Sequence, residues 1–175
     1  MQSDMMGYLQ IYTGNGKGKS TAAFGLALRA AGAGMSVYIA QFVKGRNYSE
    51  ITAVRQHLPQ ITIRQFGRGC FIVERPTDED VAAAREGLAV VSEVLTTGEY
   101  DLVILDEATI AIHYDLFTVD ELIDLLKRRA PSCEVVVTGR YAPEELIKLA
   151  DLVTEMCEVK HYYHQGIEAR EGIEY

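Results

Sequence analysis

The stretch Thr13-Gly14-Asn15-Gly16-Lys17-Gly18-Lys19-Ser20-Thr21 constrains this chain more than any other. Before it, Tyr8 to Tyr12 alternates in polarity, which predicts a short strand. After it, Ala22 to Arg29 is rich in helix formers. A strand, a glycine-rich turn and a helix opening on Gly-Lys-Ser make the context that a phosphate-binding P-loop requires. Glycines let successive backbone N–H groups turn inward, and side chains there would block the phosphates. The helix N-terminus adds free N–H donors and a partial positive charge. Lys19 supplies a full charge, and Ser20 offers a hydroxyl to a magnesium ion. The alternative, an ordinary glycine-rich turn, does not account for Gly-Lys-Ser standing in register with both flanking elements. The loop departs from the common spacing G-x-x-x-x-G-K-[ST]. Aligned on Gly18-Lys19-Ser20, the first glycine position holds Thr13, and the glycine comes one place later at Gly14. Gly16 and Lys17 make the loop open and basic. Such a loop is expected to hold a triphosphate differently from a kinase or hydrolase.

Downstream, strands and helices alternate. Ser36–Val43 follows a Gly32-Ala33-Gly34 helix stop and reads as a buried strand. Ligands of parallel sheets sit beyond the carboxyl ends of strands, so Gln41 and Lys44 are placed to face the site; a solvated loop lysine is an equal reading of Lys44. Tyr48–His57 predicts a short helix and Ile61–Phe66 a third strand. The glycine-bounded loop Gly67–Pro76 carries apolar Phe71, Ile72 and Val73, which fit a hydrophobic ligand, a dimer contact or packing on the loop's own core. Thr77–Thr97 predicts a long helix whose Val81, Ala84, Leu88, Val91 and Leu95 face the core. Tyr100 to Asp106, followed by Glu107, is a continuous apolar run ending in two acids. It predicts a buried parallel strand with carboxylates at its tip, where P-loop proteins hold Mg²⁺. Ile112–Leu116 reads as a connection, and Thr118–Arg129 as a helix with a Thr118/Glu121 capping box. Val135–Arg140 predicts a buried strand with Arg140 at its carboxyl end. A short helix from Pro143 and a last strand over Leu152–Val159 complete the set. The tail from Lys160 is polar, aromatic and glycine-punctuated. His161 and His164 lack a partner at any recognised metal-ligand spacing.

This pattern predicts an α/β fold with a doubly wound, mostly parallel sheet, in one domain over residues 1–175. A net charge of -8 provides no basic footprint for nucleic acid. Cys70, Cys133 and Cys157 are scattered and odd in number, as for free thiols in a reducing compartment. No apolar run has the length of a membrane span and no signal peptide precedes the first strand, so a cytoplasmic location is expected.

Several words of the sequence together resemble one family, the ATP:corrinoid adenosyltransferases of the CobA/BtuR/CobO type. They are the loop from Thr13 through Gly25, Gln41-Phe42-Val43-Lys44-Gly45, Leu105-Asp106-Glu107, Val137-Thr138-Gly139-Arg140, Val159-Lys160-His161 with Gly166-Ile167, and Gly172-Ile173-Glu174-Tyr175. They run in order through nearly the whole chain. The resemblance implies a RecA-like P-loop fold and a homodimer. It implies transfer of the 5′-deoxyadenosyl group of ATP to the Co(I) of a reduced corrinoid, with triphosphate released and ATP reversed in the loop. By position, Gly14, Asn15, Gly16, Lys17, Gly18, Lys19, Ser20 and Thr21 would cradle the triphosphate, with help from Arg29. Ser20, Glu107 and Asp106 would bind Mg²⁺. Phe71 and Val73 would meet the corrinoid, and Gln41, Lys44, Arg140, Lys160 and His161 would support the site. A flavoprotein or similar reductant would supply Co(I). The sequence departs from the family where relatives carry Phe and Trp two apart; here Phe71 precedes Val73, and the chain has no Trp. Two other classes fit the P-loop alone: a small-molecule kinase, and a non-catalytic ATP-binding regulator or corrinoid carrier.

Overall fold

A computed structural model of the chain describes residues 6–69 and 75–175. β1 (Leu9–Thr13) leads through the glycine-rich turn into α1 (Lys19–Gly32). β2 (Val37–Phe42), α2 (Ser49–His57), β3 (Ile61–Phe66) and α3 (Asp78–Thr97) follow. Then come β4 (Leu102–Asp106), α4 (Ala108–His113), α5 (Val119–Lys127), β5 (Glu134–Thr138), α6 (Glu144–Leu149) and β6 (Leu152–Glu155). Among the described residues the strands form one sheet in the order β3-β2-β4-β5-β1-β6, with every pairing parallel. One strand, β5, separates the phosphate-loop strand β1 from the acid-tipped β4.

A parallel sheet needs a crossover after each strand and cover on both faces. The pleat of β2 supplies side chains to both. Tyr38, Ala40 and Phe42 enter one core layer, with Leu88, Val91 and Leu95 of α3 and Leu122 and Leu126 of α5. Val37 and Ile39 enter the other, with Ala23 and Ala27 of α1 and Ile51 and Val54 of α2. The stripe expected on the long helix is buried at Ala84, Leu88, Val91 and Leu95. Capping boxes form at Thr77/Asp80 and Thr118/Glu121, where the side chain of the first residue accepts from the third helical N–H.

Two expectations are corrected. β6 ends at Glu155 rather than Val159, because the chain then leaves the sheet edge and crosses the phosphate loop. Residues 108–113, in part read as a connection, are helical. Six residues are too few for a periodic signal. In the tail, Tyr162–Gln165 forms a 3₁₀ turn, capped by His161 Nδ1, which accepts from the Tyr163 N–H at 3.1 Å.

Candidate functional site

With every strand parallel, the carboxyl ends share one edge of the sheet, the edge at which open α/β sheets bind ligands. The turn after β1, residues 43–44 after β2, Asp106 and Glu107 at the end of β4, and residues 138–140 after β5 meet there. In the phosphate loop Gly14 and Gly18 adopt φ of 93° and 117°. The backbone of Met156 pairs with the loop on its outer side: its N–H donates to Thr13 O at 2.8 Å, and its carbonyl accepts from Gly16 N–H at 2.6 Å. A Cβ at Gly16 would stand 2.6 Å from Met156 O and 2.9 Å from Cys157 C. Glycine is therefore demanded here by a crossing chain as well as by phosphate. The loop is covered on this side rather than open, and one of its amides is already taken. Lys19, 8% exposed, folds back to donate to Gly16 O at 2.7 Å. Burial pushes its pKa down.

Asp106 has no exposed surface and accepts four hydrogen bonds. Ser20 Oγ and Thr138 Oγ1 donate to Oδ1, each at 2.7 Å; Lys44 Nζ and Gln41 Nε2 donate to Oδ2 at 2.9 and 3.1 Å. Burial works to raise the Asp106 pKa, but the Lys44 charge and the bonds from Lys44, Ser20 and Thr138 outweigh it and hold it below the ordinary value. A carboxylate has about four lone-pair positions, so Asp106 is saturated and serves as the scaffold of the cluster. Glu107 differs. It takes a left-handed φ of 59° at the N-cap of α4, with its N–H donating to Thr138 Oγ1 at 3.0 Å. Burial, then the adjacent Asp106, push its pKa up.

Lys44 Nζ stands 3.2 Å from Ser20 Oγ, 2.9 Å from Asp106 Oδ2 and 3.8 Å from Glu107 Oε1. Val43, at φ 64°, reverses the chain just before it, a conformation rare for a β-branched residue. Burial acts to lower the Lys44 pKa, and Asp106 and Glu107 together overcome it and raise it. The oxygens of Ser20 and Glu107 are hard donors of the kind Mg²⁺ takes, and the place is one that holds a cation, since an ammonium already sits there. Among the described residues no group of three His, Cys, Asp or Glu forms a cage. Mg²⁺ commonly binds without one, through one or two carboxylates plus phosphates.

The remaining expected residues divide. Arg140 is exposed; its carbonyl accepts from Thr109 Oγ1 at 2.7 Å, and its charge acts on both Lys19 and Glu107. Gln41 is buried behind Asp106 rather than facing a ligand. Asn15 and Thr21 are exposed on the loop and the first turn of α1. Lys17 turns away to the tail. Arg29 lies in the last turn of α1, about 15 Å along the axis from Lys19, so a single chain does not bring it to the loop. Lys160 is exposed and His161 half-buried in the tail. Phe71 and Val73 lie outside the described residues. Sequence reasoning missed Thr138 and Glu174. A threonine closing an otherwise apolar strand was a legible signal for the first.

A phosphate loop between a strand and a helix, one strand away from an acid-tipped parallel strand, defines a P-loop nucleotide-binding protein. A family model described as ATP:corrinoid adenosyltransferase BtuR/CobO/CobP matches residues 5–175. The chain is similar to the corrinoid adenosyltransferase of Pseudomonas aeruginosa, 36% identical over 173 residues, covering 98% of this chain and 85% of that one. It is similar to that of Sinorhizobium sp, 37% identical over 177 residues (99% and 83%), and to that of Escherichia coli K12, 36% identical over 173 residues (98% and 87%). The chain belongs to the ATP:corrinoid adenosyltransferase family.

Proposed function

We propose that this protein transfers the 5′-deoxyadenosyl group of ATP to the Co(I) of a reduced corrinoid and releases triphosphate. The observation that carries this reading is a family match over residues 5–175 that includes every element of the loop and acid cluster. The cobalt arrives with the substrate and is itself the nucleophile. As the Co–C bond forms, the C5′–O bond breaks and its electron pair leaves on the triphosphate. The chain then needs no catalytic serine, cysteine or base. Its residues hold the leaving group and aim C5′. The first amides of α1 and the Lys19 ammonium receive the triphosphate, Lys19 exchanging its bond to Gly16 O for one to phosphate. Ser20 and Glu107 would hold Mg²⁺, with Asp106 fixing the Ser20 hydroxyl and Lys44 completing the positive edge. Bound there, Mg²⁺ supplies charge neutralisation to the triphosphate. The loop bearing Phe71 and Val73 would cover the corrinoid face.

A homodimer is part of this reading. All four residues of the edge strand β6 are exposed, including apolar Leu152 and Val153, and a second copy would cover them. A flavoprotein or similar reductant would supply Co(I). No helix among the described residues is long and apolar enough to cross a membrane. A kinase would need an acid or base for an acceptor hydroxyl, and Asp106 is already committed to four donors. Incubation with ATP, Mg²⁺ and chemically reduced cobalamin tests the proposal. A light-sensitive alkylcobalt spectrum is expected. ADP in place of triphosphate indicates a kinase, and binding without turnover indicates a carrier or regulator.

A further inference from the structure

Beyond β6 the chain wraps the phosphate loop at more than the Met156 crossing. Lys17 Nζ donates to Tyr162 Oη at 3.2 Å, to Ile173 O at 2.9 Å and to Glu174 Oε1 at 2.7 Å. An ammonium has three N–H donors, and all three have partners in the tail. Glu174, in turn, accepts from the Tyr162 hydroxyl in a close contact, from Arg170 N–H at 2.8 Å and from Arg170 Nε at 3.3 Å. The Lys17 ammonium and the Arg170 guanidinium both lie over the Tyr162 ring, 5.9 and 5.2 Å from its centroid. Ser49 Oγ, at the start of α2, donates to Tyr175 O at 3.1 Å and ties down the next residue. The Glu174 carboxylate is held well below the ordinary range by its bond to Lys17, then by those to Tyr162 and Arg170.

We propose that residues 170–174 clamp the phosphate loop through Lys17, and that Lys17 and Glu174 are a positioning pair for ATP rather than phosphate contacts. The proposal rests on the reading of this loop as the ATP site. Its physical basis is entropy. A loop with glycines at 14, 16 and 18 has many conformations, and ordering it on binding weakens affinity. Holding its middle from outside, at a residue whose donors are all engaged, removes that cost before ATP arrives.

The test is ATP affinity by calorimetry, without corrinoid, for the native chain, K17M, E174Q and the double variant, with melting temperatures measured alongside. Each single variant should bind ATP about five- to tenfold more weakly, and the double variant no worse than either single one. In turnover the loss should fall on the KM for ATP more than on kcat. K17R, which keeps the charge and the donors toward Glu174 and Ile173 O, should retain most of the affinity, which also covers the case of a single variant that melts early. Tighter ATP binding by E174Q would mean that Lys17 is a phosphate ligand restrained by the tail, and overturns the proposal. Unchanged affinity, additive losses, or a loss in K17R as large as that in K17M overturn it too. If the native chain fails to bind ATP, the reading of the loop fails and the proposal falls with it.

Discussion

Replacing Lys44 with Met keeps the length of the stem and removes the charge. In the native chain its ammonium is 2.9 Å from Oδ2 of Asp106, a carboxylate with no exposed surface. Removing one partner of a buried pair costs about 3–5 kcal/mol, because the other charge stays behind. The bonds from Ser20, Thr138 and Gln41 survive, which places the expected cost near the lower end, about 3 kcal/mol. For a chain of this length each kcal/mol moves Tm by about 2–4 °C, so Lys44→Met should melt about 6–12 °C lower at pH 7. The pH dependence has a definite sign. Native Asp106 titrates below its unfolded value, so the stability it contributes is present above about pH 3.9 and is lost as pH falls through the folded value. Without Lys44, burial dominates and the folded value rises above the unfolded one. The penalty is then absent at low pH and grows as pH rises. Thermal melts from pH 5 to pH 8 without Mg²⁺ should show the deficit shrinking toward pH 5. Adding Asp106→Asn to Lys44→Met removes the stranded charge and should recover part of the loss. Equal melting of variant and native protein at pH 7, or a deficit that grows as pH falls, refutes the reasoning.

Lys19→Ala should cut turnover by about 10²–10³-fold or more, the scale of one charged donor lost from a transition state; near-native turnover would remove the loop lysine from the mechanism. Glu107→Gln should raise the Mg²⁺ concentration for half-maximal activity more than it lowers Tm, and an unchanged Mg²⁺ titration would place the ion elsewhere. Gly16→Ala drives a methyl group against Met156 O, so the loop or the crossing chain must shift; overpacking of this kind costs about 1–3 kcal/mol, read by urea unfolding. ATP affinity should fall in the same variant.

The sheet was legible because each strand carries its own signal. The apolar run Leu102–Leu105 needs cover on both faces, and the alternation of Ile61–Phe66 needs it on one. Strand ends and the fate of the tail were not legible, because contacts far apart in sequence decide them. β6 stops at Glu155 because Met156 is drawn to Thr13 and Gly16, more than 130 residues earlier. Nothing near Lys17 says that its partner is Glu174. The acid cluster shows the same limit. Asp106 and Glu107 are adjacent in sequence, yet the first is saturated by four donors from three segments and the second is left with the less occupied carboxylate. Only the fold separates their roles. Arg29 carries a charge that a sequence comparison can assign to ATP, while helical geometry sets it at the far end of α1.

The most direct test of adenosyl transfer follows the carbon that moves. ATP labelled with ¹³C at C5′ is incubated with Mg²⁺, the protein and cob(I)alamin in the dark. Carbon NMR of the corrinoid and chromatography of the polyphosphates are then read on the same sample. A labelled carbon bonded to cobalt, lost on illumination, and one equivalent of intact triphosphate for each corrinoid alkylated are expected. Label remaining on nucleotide while ADP and phosphate accumulate, or triphosphate absent where the Co–C signal appears, would contradict adenosyl transfer.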